Sequence, residues 1–106
     1  MFNKLSPTRI PELIKNGKSK RGEYVRLVWE ESKDGKFRCQ VLVPQKLSLS
    51  KPVQHRLKRQ LKNVVCEIKN QPPLECLIIA LPQAYNTSFT YLFKEITKLI
   101  EGVWKE

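Results

Sequence analysis

The chain has 106 residues, 41% of them hydrophobic and 28% charged, a size and composition typical of one globular domain. Its 20 lysines and arginines against 10 acidic residues give a formal charge of +10, which favours a polyanionic partner such as nucleic acid. The apolar run at residues 77–81 is too short to span a bilayer, and residues 1–5 contain no signal-peptide apolar region. We therefore expect a single cytoplasmic domain over residues 1–106, with no membrane partner.

The first predicted element is a short helix. Ile10, Leu13 and Ile14 recur at helical spacing. Thr8 is placed to cap this helix, and the Asn-Gly pair at residues 16–17 is placed to end it.

Strands are predicted next. Residues 24–29 are rich in β-branched and aromatic residues, and apolar residues alternate with others from 37 to 43, on either side of a turn at 32–35. This pattern predicts an antiparallel hairpin. The basic link at residues 18–23 has room for one more short strand.

The strongest helical pattern runs from residue 51 to about residue 69. Ser50 is placed to cap this helix, Pro52 falls in its first turn, and the prolines at 72–73 forbid its continuation. One predicted face is apolar and consists of Val53, Leu57, Leu61, Val64, Val65 and Ile68. The opposite side carries Lys51, His55, Lys58, Arg59 and Lys62.

The remaining pattern predicts a strand and a last helix. Residues 74–81 form a short apolar run bounded by prolines, as in a strand covered on both faces. Apolar residues then keep helical spacing from Phe89 to Val103. The predicted class is α+β: helix, two or three antiparallel strands, helix, strand, helix, with the helices packed on a mostly antiparallel sheet.

The cationic side of the second predicted helix is the main candidate site. No acidic residue occurs from Lys36 to Val65, whereas a solvated helix face usually mixes both signs to form ion pairs. Arginine and lysine on one face can bind successive phosphates of a nucleic acid. The simpler alternative is a solvated helix face.

Other chemistry has weaker support. His55 is the only histidine, and Cys66 lies eleven residues away on the same helix, about 16 Å along its axis, too far for a shared metal site. The carboxylates lack the paired spacing of metal-dependent nucleases. Tyr24, Trp29 and Phe37 are either base-stacking residues or, more simply, core residues. The three cysteines, an odd number without a CxxC pair, are expected to be reduced and packed.

A family resemblance covers most of the chain, with residues 10–17, 24, 77–82 and 88–89 on either side of a central stretch at residues 43–62. The central stretch reads Val43-Pro44-Gln45-Lys46, a loop, and Val53-Gln54-His55-Arg56-Leu57-Lys58-Arg59-Gln60-Leu61-Lys62. This pattern resembles the signature of the bacterial ribonuclease P protein, a Lys-Lys pair, a loop, and a helix reading Arg-Asn-Arg-x-Lys-Arg-x-x-Arg. Lys46, Arg56, Lys58, Arg59 and Lys62 match basic positions of that signature. Gln54 and His55 stand in place of Arg-Asn, and Leu81 stands in place of a usual arginine.

The resemblance implies a subunit of a ribonucleoprotein rather than a self-sufficient enzyme. In that family a large RNA holds catalytic magnesium ions and hydrolyses the phosphodiester that frees the 5′ end of tRNA. The protein, expected to be a monomer in the complex, binds this ribonuclease P RNA and the 5′ leader of precursor tRNA. A left-handed βαβ crossover is also implied.

The implied site residues form two groups. The RNA-binding group consists of Lys46, Lys51, Gln54, His55, Arg56, Lys58, Arg59 and Lys62. The leader is expected in a cleft between the first helix and the sheet, at Ile10, Ile14, Tyr24 and Phe37, with the two isoleucines in place of the family's aromatic residues.

Two other classes of function stay open. A structural RNA-binding protein of the ribosome or of its assembly would share the charge and fold but would have no cleavage partner. A small nuclease acting by itself is the third possibility.

Overall fold

The computed structural model describes residues 3–44, 50–68 and 72–105. The elements, in chain order, are β1 (Asn3–Lys4), α1 (Arg9–Asn16), β2 (Lys18–Arg21), β3 (Val25–Glu31), β4 (Arg38–Leu42), α2 (Lys51–Glu67), β5 (Leu74–Ala80), a 3-10 helix (Pro82–Asn86) and α3 (Phe89–Lys105). Within the described residues, five strands form one sheet in the order β1-β4-β5-β3-β2. The predicted α+β class is confirmed.

The central position of β5 changes the predicted strand pairing. β5 is antiparallel to β3 over seven residue pairs and parallel to β4 over five, so β3 and β4 are not neighbours. The prediction of a hairpin between them is wrong. Because β5 is apolar on both faces except at Glu75, it is most stable between two other strands.

A hairpin does form one strand earlier in the chain. β2 and β3 pair antiparallel, and the N–H of Gly22 donates to the carbonyl of Val25 over 2.8 Å. The additional strand predicted in the basic link is therefore present. Since α2 connects the adjacent parallel strands β4 and β5, the three elements form the βαβ unit that the resemblance implies. The handedness of this crossover stays a prediction.

The larger core lies between the sheet and the two long helices. Side chains alternate along each strand, so β3, β4 and β5 each turn alternate residues toward α2 and α3. The sheet contributes Val25, Leu27, Cys39, Val41, Cys76 and Ile78 to this cluster. α2 contributes Leu57, Leu61, Val64 and Val65, and Ile68 directly after the helix joins them. These residues belong to the apolar face that helical spacing predicts, while Val53 is only half-buried.

A smaller core lies on the opposite face of the sheet, under α1. Leu13 is fully buried there with Leu5, Val28 and Leu77. Ile10 and Ile79 are partly buried against the same cluster. α1 has only eight residues, about 12 Å of helix, so it covers only part of this face.

Arg9 of α1 anchors that helix to the sheet through carboxylates. On the α1 face, Arg38 of β4, Glu75 of β5 and Glu30 of β3 occupy paired register positions; we call them the salt-bridge row. Two carboxylates placed directly opposite each other on neighbouring strands repel. Arg9 donates to Glu75 over 3.0 Å and to Glu30 over 2.8 Å, which neutralises this repulsion and raises the pKa of the guanidinium, Glu75 being the main cause.

The same row extends into the β3–β4 connection. Arg38 binds the carboxylate of Asp34 and lies 3.7 Å from Glu75. Arg38, the hydroxyl of Ser32 and the N–H of Lys36, in that order, hold the pKa of Asp34 well below its usual range. Gly35 follows in the left-handed region, with φ of 75°, a conformation that glycine adopts without strain.

Glu95 of α3 fixes the β2–β3 turn. Its carboxylate accepts the backbone N–H groups of Glu23, Tyr24 and Val25 over 2.5, 2.7 and 3.0 Å. The carboxylate comes so close that a Cβ on Gly22 would lie 2.6 Å from the Glu95 carboxyl carbon. A side chain at position 22 would therefore displace the Glu95 carboxylate, whose hydrogen bonds hold the turn on α3.

The cysteines are free thiols in two different environments. Cys39 and Cys76 are fully buried register partners on β4 and β5. The neighbouring Cys76 thiol, followed by burial, raises the pKa of the Cys39 thiol. Cys66 on α2 is exposed, so the expectation of three packed thiols is wrong for that residue.

The structure confirms where the two predicted helices begin, but it does not show the side-chain capping expected there. Thr8 and Ser50 directly precede α1 and α2, but neither side chain forms a capping hydrogen bond. Pro52 lies in the first turn of α2, and Gly17 follows the last residue of α1. The described part of α2 ends at Glu67, with residue 69 outside the described residues.

The two faces of α2 predict opposite responses to truncation. Leu61→Ala should lower the free energy of unfolding by about 2–5 kcal/mol, because Leu61 is fully buried and the change leaves a cavity. Arg59→Ala should change it by only about 0.5 kcal/mol, since Arg59 is exposed. Thermal and denaturant unfolding of both variants measures the difference, and an early-unfolding Arg59 variant beside a stable Leu61 variant would contradict the assignment.

Arg9→Met should destabilise the fold by about 1–3 kcal/mol, because Glu75 and Glu30 lose their shared cation while remaining partly buried. Arg56→Met is the matched control, being an exposed arginine on α2 with an expected change of about 0.5 kcal/mol or less. Equal stability of the two variants would show that Arg9 does not anchor α1.

Candidate nucleic-acid interface

The side of α2 that faces away from the core carries clustered cations. His55, Lys58, Arg59 and Lys62 together line a shallow, open depression of about 300 Å³; we call these four residues the cationic face. His55 and Arg59 are exposed, and the lysines are half-buried. The spacing of three to four residues per turn places them on the surface opposite Leu57 and Leu61.

The other residues predicted to bind RNA are placed around this face. Lys51 is exposed in the first turn of α2, Gln54 is half-buried, and Arg56 is exposed but does not line the depression. Lys46 lies outside the described residues. The structure therefore brings four of the eight predicted residues into one depression and leaves three others on the same helix.

The electrostatics of α2 favour an anionic ligand. In the described parts of the chain, every ion pair involves Arg9 or Arg38, so no carboxylate neutralises the cationic face. The first turn of α2 contains no acidic residue, which leaves the positive end of the helix dipole without a side-chain counter-charge. Phosphate groups fit both features.

A metal site requires several His, Cys, Asp or Glu side chains close together. Across residues 3–44, 50–68 and 72–105, no group of three His, Cys, Asp or Glu side chains is arranged to hold a metal ion. His55 is surrounded by Lys58, Arg59 and Lys62 instead of acidic ligands. The described helices also include none long and apolar enough to cross a membrane.

A second concave surface lies on the α1 face of the sheet, beyond the part that α1 covers. Its volume is about 730 Å³. Arg21, Arg26, Ile79 and Leu42 occupy paired register positions across β2, β3, β5 and β4; we call them the arginine row. It lies four residues along the strands from the salt-bridge row, roughly 13 Å. Ser19, Pro44, Leu81 and Pro82 complete most of the lining.

The predicted leader cleft is divided between the two faces. Ile10 of α1 is partly buried against the smaller core, and Ile14 is 54% exposed. Phe37 is buried in the larger core, and Tyr24 packs against that same core on the α2 and α3 side. These four residues therefore do not line one cleft, because Tyr24 and Phe37 pack on the side of the sheet opposite α1.

The residues that do line the uncovered sheet surface were not predicted as site residues. Arg26 stands between the buried Val25 and Leu27, so strand alternation alone places it on the opposite face. Leu42 and Ile79 follow from the same rule once β4 and β5 are known to be neighbours. The alternation of residues along β4 and along β5 does not reveal that these two strands pair.

Comparison with known proteins assigns the family. A family model described as Ribonuclease P matches residues 5–104. The ribonuclease P protein component of Thermus oshimai is 26% identical over 88 residues, which are 83% of this chain and 56% of that protein. The corresponding protein of Thermus brockianus is 25% identical. The chain thus spans 56–57% of the length of these curated relatives.

Solved structures agree in fold. The RNase P protein of Staphylococcus aureus superposes with a TM-score of 0.80 at 14% identity, covering 97% of this chain and 94% of that one. For the RNase P protein of Thermotoga maritima the TM-score is 0.79 at 16% identity, with coverage of 94% and 96%. Because the family model matches nearly the whole length of this chain, the chain belongs to the bacterial ribonuclease P protein family. Its low identity to each relative makes it a divergent member.

Proposed function

We propose that this chain is the protein subunit of a ribonuclease P ribonucleoprotein and supports 5′-end maturation of tRNA. It binds the ribonuclease P RNA through α2, and it holds the 5′ leader of precursor tRNA on the α1 face of the sheet. The complex contains one copy of the chain and acts in the cytoplasm, where precursor tRNA is processed.

The observation that carries this proposal is the separation of the two faces of α2. Leu57, Leu61, Val64 and Val65 hold the helix on the core, so His55, Lys58, Arg59 and Lys62 are presented on a rigid element. A rigid row of cations fits a folded RNA better than a mobile tail does, because little side-chain and backbone freedom is lost on binding. Arginine adds bidentate contacts to phosphate.

Catalysis is assigned to the RNA partner. The carboxylates with described partners serve the fold: Glu30 and Glu75 bind Arg9, Asp34 binds Arg38, and Glu95 binds the β2–β3 turn. Under the proposal, magnesium ions are held by the RNA and the substrate. The protein contributes affinity and orientation, by reducing the repulsion between two RNA molecules.

The division of roles predicts the outcome of reconstitution. The protein alone, incubated with precursor tRNA and magnesium, should leave the substrate intact. Together with the ribonuclease P RNA of the same genome, it should raise cleavage at the mature 5′ end, at a magnesium concentration where the RNA alone is slow. Specific cleavage by the nuclease-free protein would contradict the proposal, and RNA binding without any stimulation would favour a structural role.

Salt dependence tests the cationic face directly. Changing Arg59 and Lys62 to alanine should flatten the slope of log affinity for ribonuclease P RNA against log salt by roughly one unit per lost phosphate contact. The matched control changes Lys33 and Lys36, exposed lysines of the β3–β4 connection, and should keep the slope closer to wild type. An unchanged slope in a folded Arg59 and Lys62 variant would remove α2 from the interface.

A further inference from the structure

We infer that Arg21 and Arg26 hold the phosphates of a single-stranded RNA segment in the concave surface beyond α1, over an apolar floor and without an aromatic stacking residue. The inference rests on the proposed function and deepens it, because it names the groups that grip the leader. It also predicts a leader site that reads backbone charge more than base identity.

Arg21 and Arg26 form a pair of like charges whose repulsion is not compensated. Arg21 and Arg26 are register partners on β2 and β3, a placement that brings two side chains on one face within about 5 Å at Cβ and is destabilising for like charges. Ser19 accepts a 3.2 Å hydrogen bond from Arg26. Among the described carboxylates, none forms an ion pair with either arginine.

The salt-bridge row on the same face provides an internal comparison. There Glu30 and Glu75 are also like charges at paired positions, and Arg9 of the chain itself neutralises them. At the arginine row, no carboxylate of the described chain neutralises the two like charges. A local electrostatic conflict that the fold leaves unresolved is typical of a binding site, and the missing counter-charge here is an anion.

The floor of the surface defines what kind of anion fits. Leu42 is 39% exposed and Ile79 is partly buried, with Pro44 and Leu81 beside them. An apolar floor beside two guanidinium groups suits a chain of phosphates that carries flat, weakly polar bases, and it suits a free inorganic ion poorly. The volume of about 730 Å³ falls in the range of roughly 300–1,000 Å³ typical of ligand sites.

The lining also explains why base identity should matter little. The described lining residues include no Phe, Tyr or Trp, so bases meet aliphatic side chains and the planes of arginine. Arginine planes and aliphatic contacts accept every base. Apart from the arginines, Ser19 is the only one of the described lining residues with a polar side chain that could read a base edge.

This surface and the cationic face can act at the same time. α2 packs with α3 on one side of the sheet, whereas the arginine row opens on the other. One RNA segment on α2 therefore does not occlude a second segment on β2 and β3. The two sites are separable by mutation.

The test uses the reconstituted complex and two precursor tRNAs, one with a long leader and one with a single leader nucleotide. Changing Arg21 and Arg26 to alanine should weaken binding of the long-leader substrate roughly ten- to a hundredfold and leave the short-leader substrate unchanged. Lysines at both positions should restore most of the affinity, because they keep the charge. The alanine variant should lose the same affinity for a substrate with a uridine leader as for one with an adenosine leader.

The control changes Lys94 and Lys98 to alanine, two exposed lysines of α3, with no leader-dependent effect expected. The Arg21 and Arg26 variant should fold at least as stably as wild type, since a repulsion is removed. If the wild-type complex cleaves with a long-leader advantage that the alanine variant retains, the inference is wrong and the proposed function stands.

A second measurement is independent of cleavage. Methyl NMR signals of Leu42 and Ile79 in the full chain should shift when a single-stranded oligoribonucleotide is added, and these shifts should be lost in the alanine variant. If the wild-type complex does not cleave but these shifts occur, the proposed function fails and the RNA site remains. If the signals do not respond in the wild-type protein, the inference fails.

Discussion

Burial of β5 from both sides is the constraint on which the rest of the structure depends. Leu74, Cys76, Leu77, Ile78 and Ala80 are each 4% exposed or less. A strand of this kind needs a neighbour along each edge and a layer over each face. It therefore separates β3 from β4, and it requires α2 and α3 on one face and α1 on the other.

The incomplete cover by α1 follows from its length and creates the second surface. Arg9 and Leu13 hold eight residues of helix over the salt-bridge row and the small core. The arginine row stays uncovered, with its repulsion left for a ligand to relieve. One sheet thus presents a cationic helix on one side and a cationic strand pair on the other, and binding of RNA at both would offset self-repulsion in a chain of charge +10.

The sequence predicts α2 well because helical periodicity is local information. Leu57 and Leu61 are buried, and Lys58, Arg59 and Lys62 gather on the other side, as the spacing indicates. The pairing of β3 with β5 joins residues more than forty positions apart, and a period of two says nothing about which strands become neighbours. The predicted hairpin failed for that reason.

The residues considered for the leader site also divide into those that a local pattern places correctly and those that depend on the folded arrangement. Phe37 shares its alternation with Cys39 and Val41, so local pattern alone would have placed it in the core, where it lies. Arg26 was recognisable in the same way, as a charge between two buried residues of β3. What no local pattern contains is that α1 stops short of Arg26 and Ile79, since this depends on how far a short helix reaches across a folded sheet.

The central claim is that two RNA molecules bind on opposite faces of one sheet. Site-directed hydroxyl-radical probing tests this claim most directly. Cys66 on α2 is exposed, whereas Cys39 and Cys76 are buried, so an iron chelate attaches selectively to Cys66. In the complex with precursor tRNA, this probe should cut the ribonuclease P RNA and spare the leader. A probe at Leu42→Cys, in a Cys66→Ser background, should cut the leader. Leader cleavage from Cys66, or none from position 42, would contradict the account.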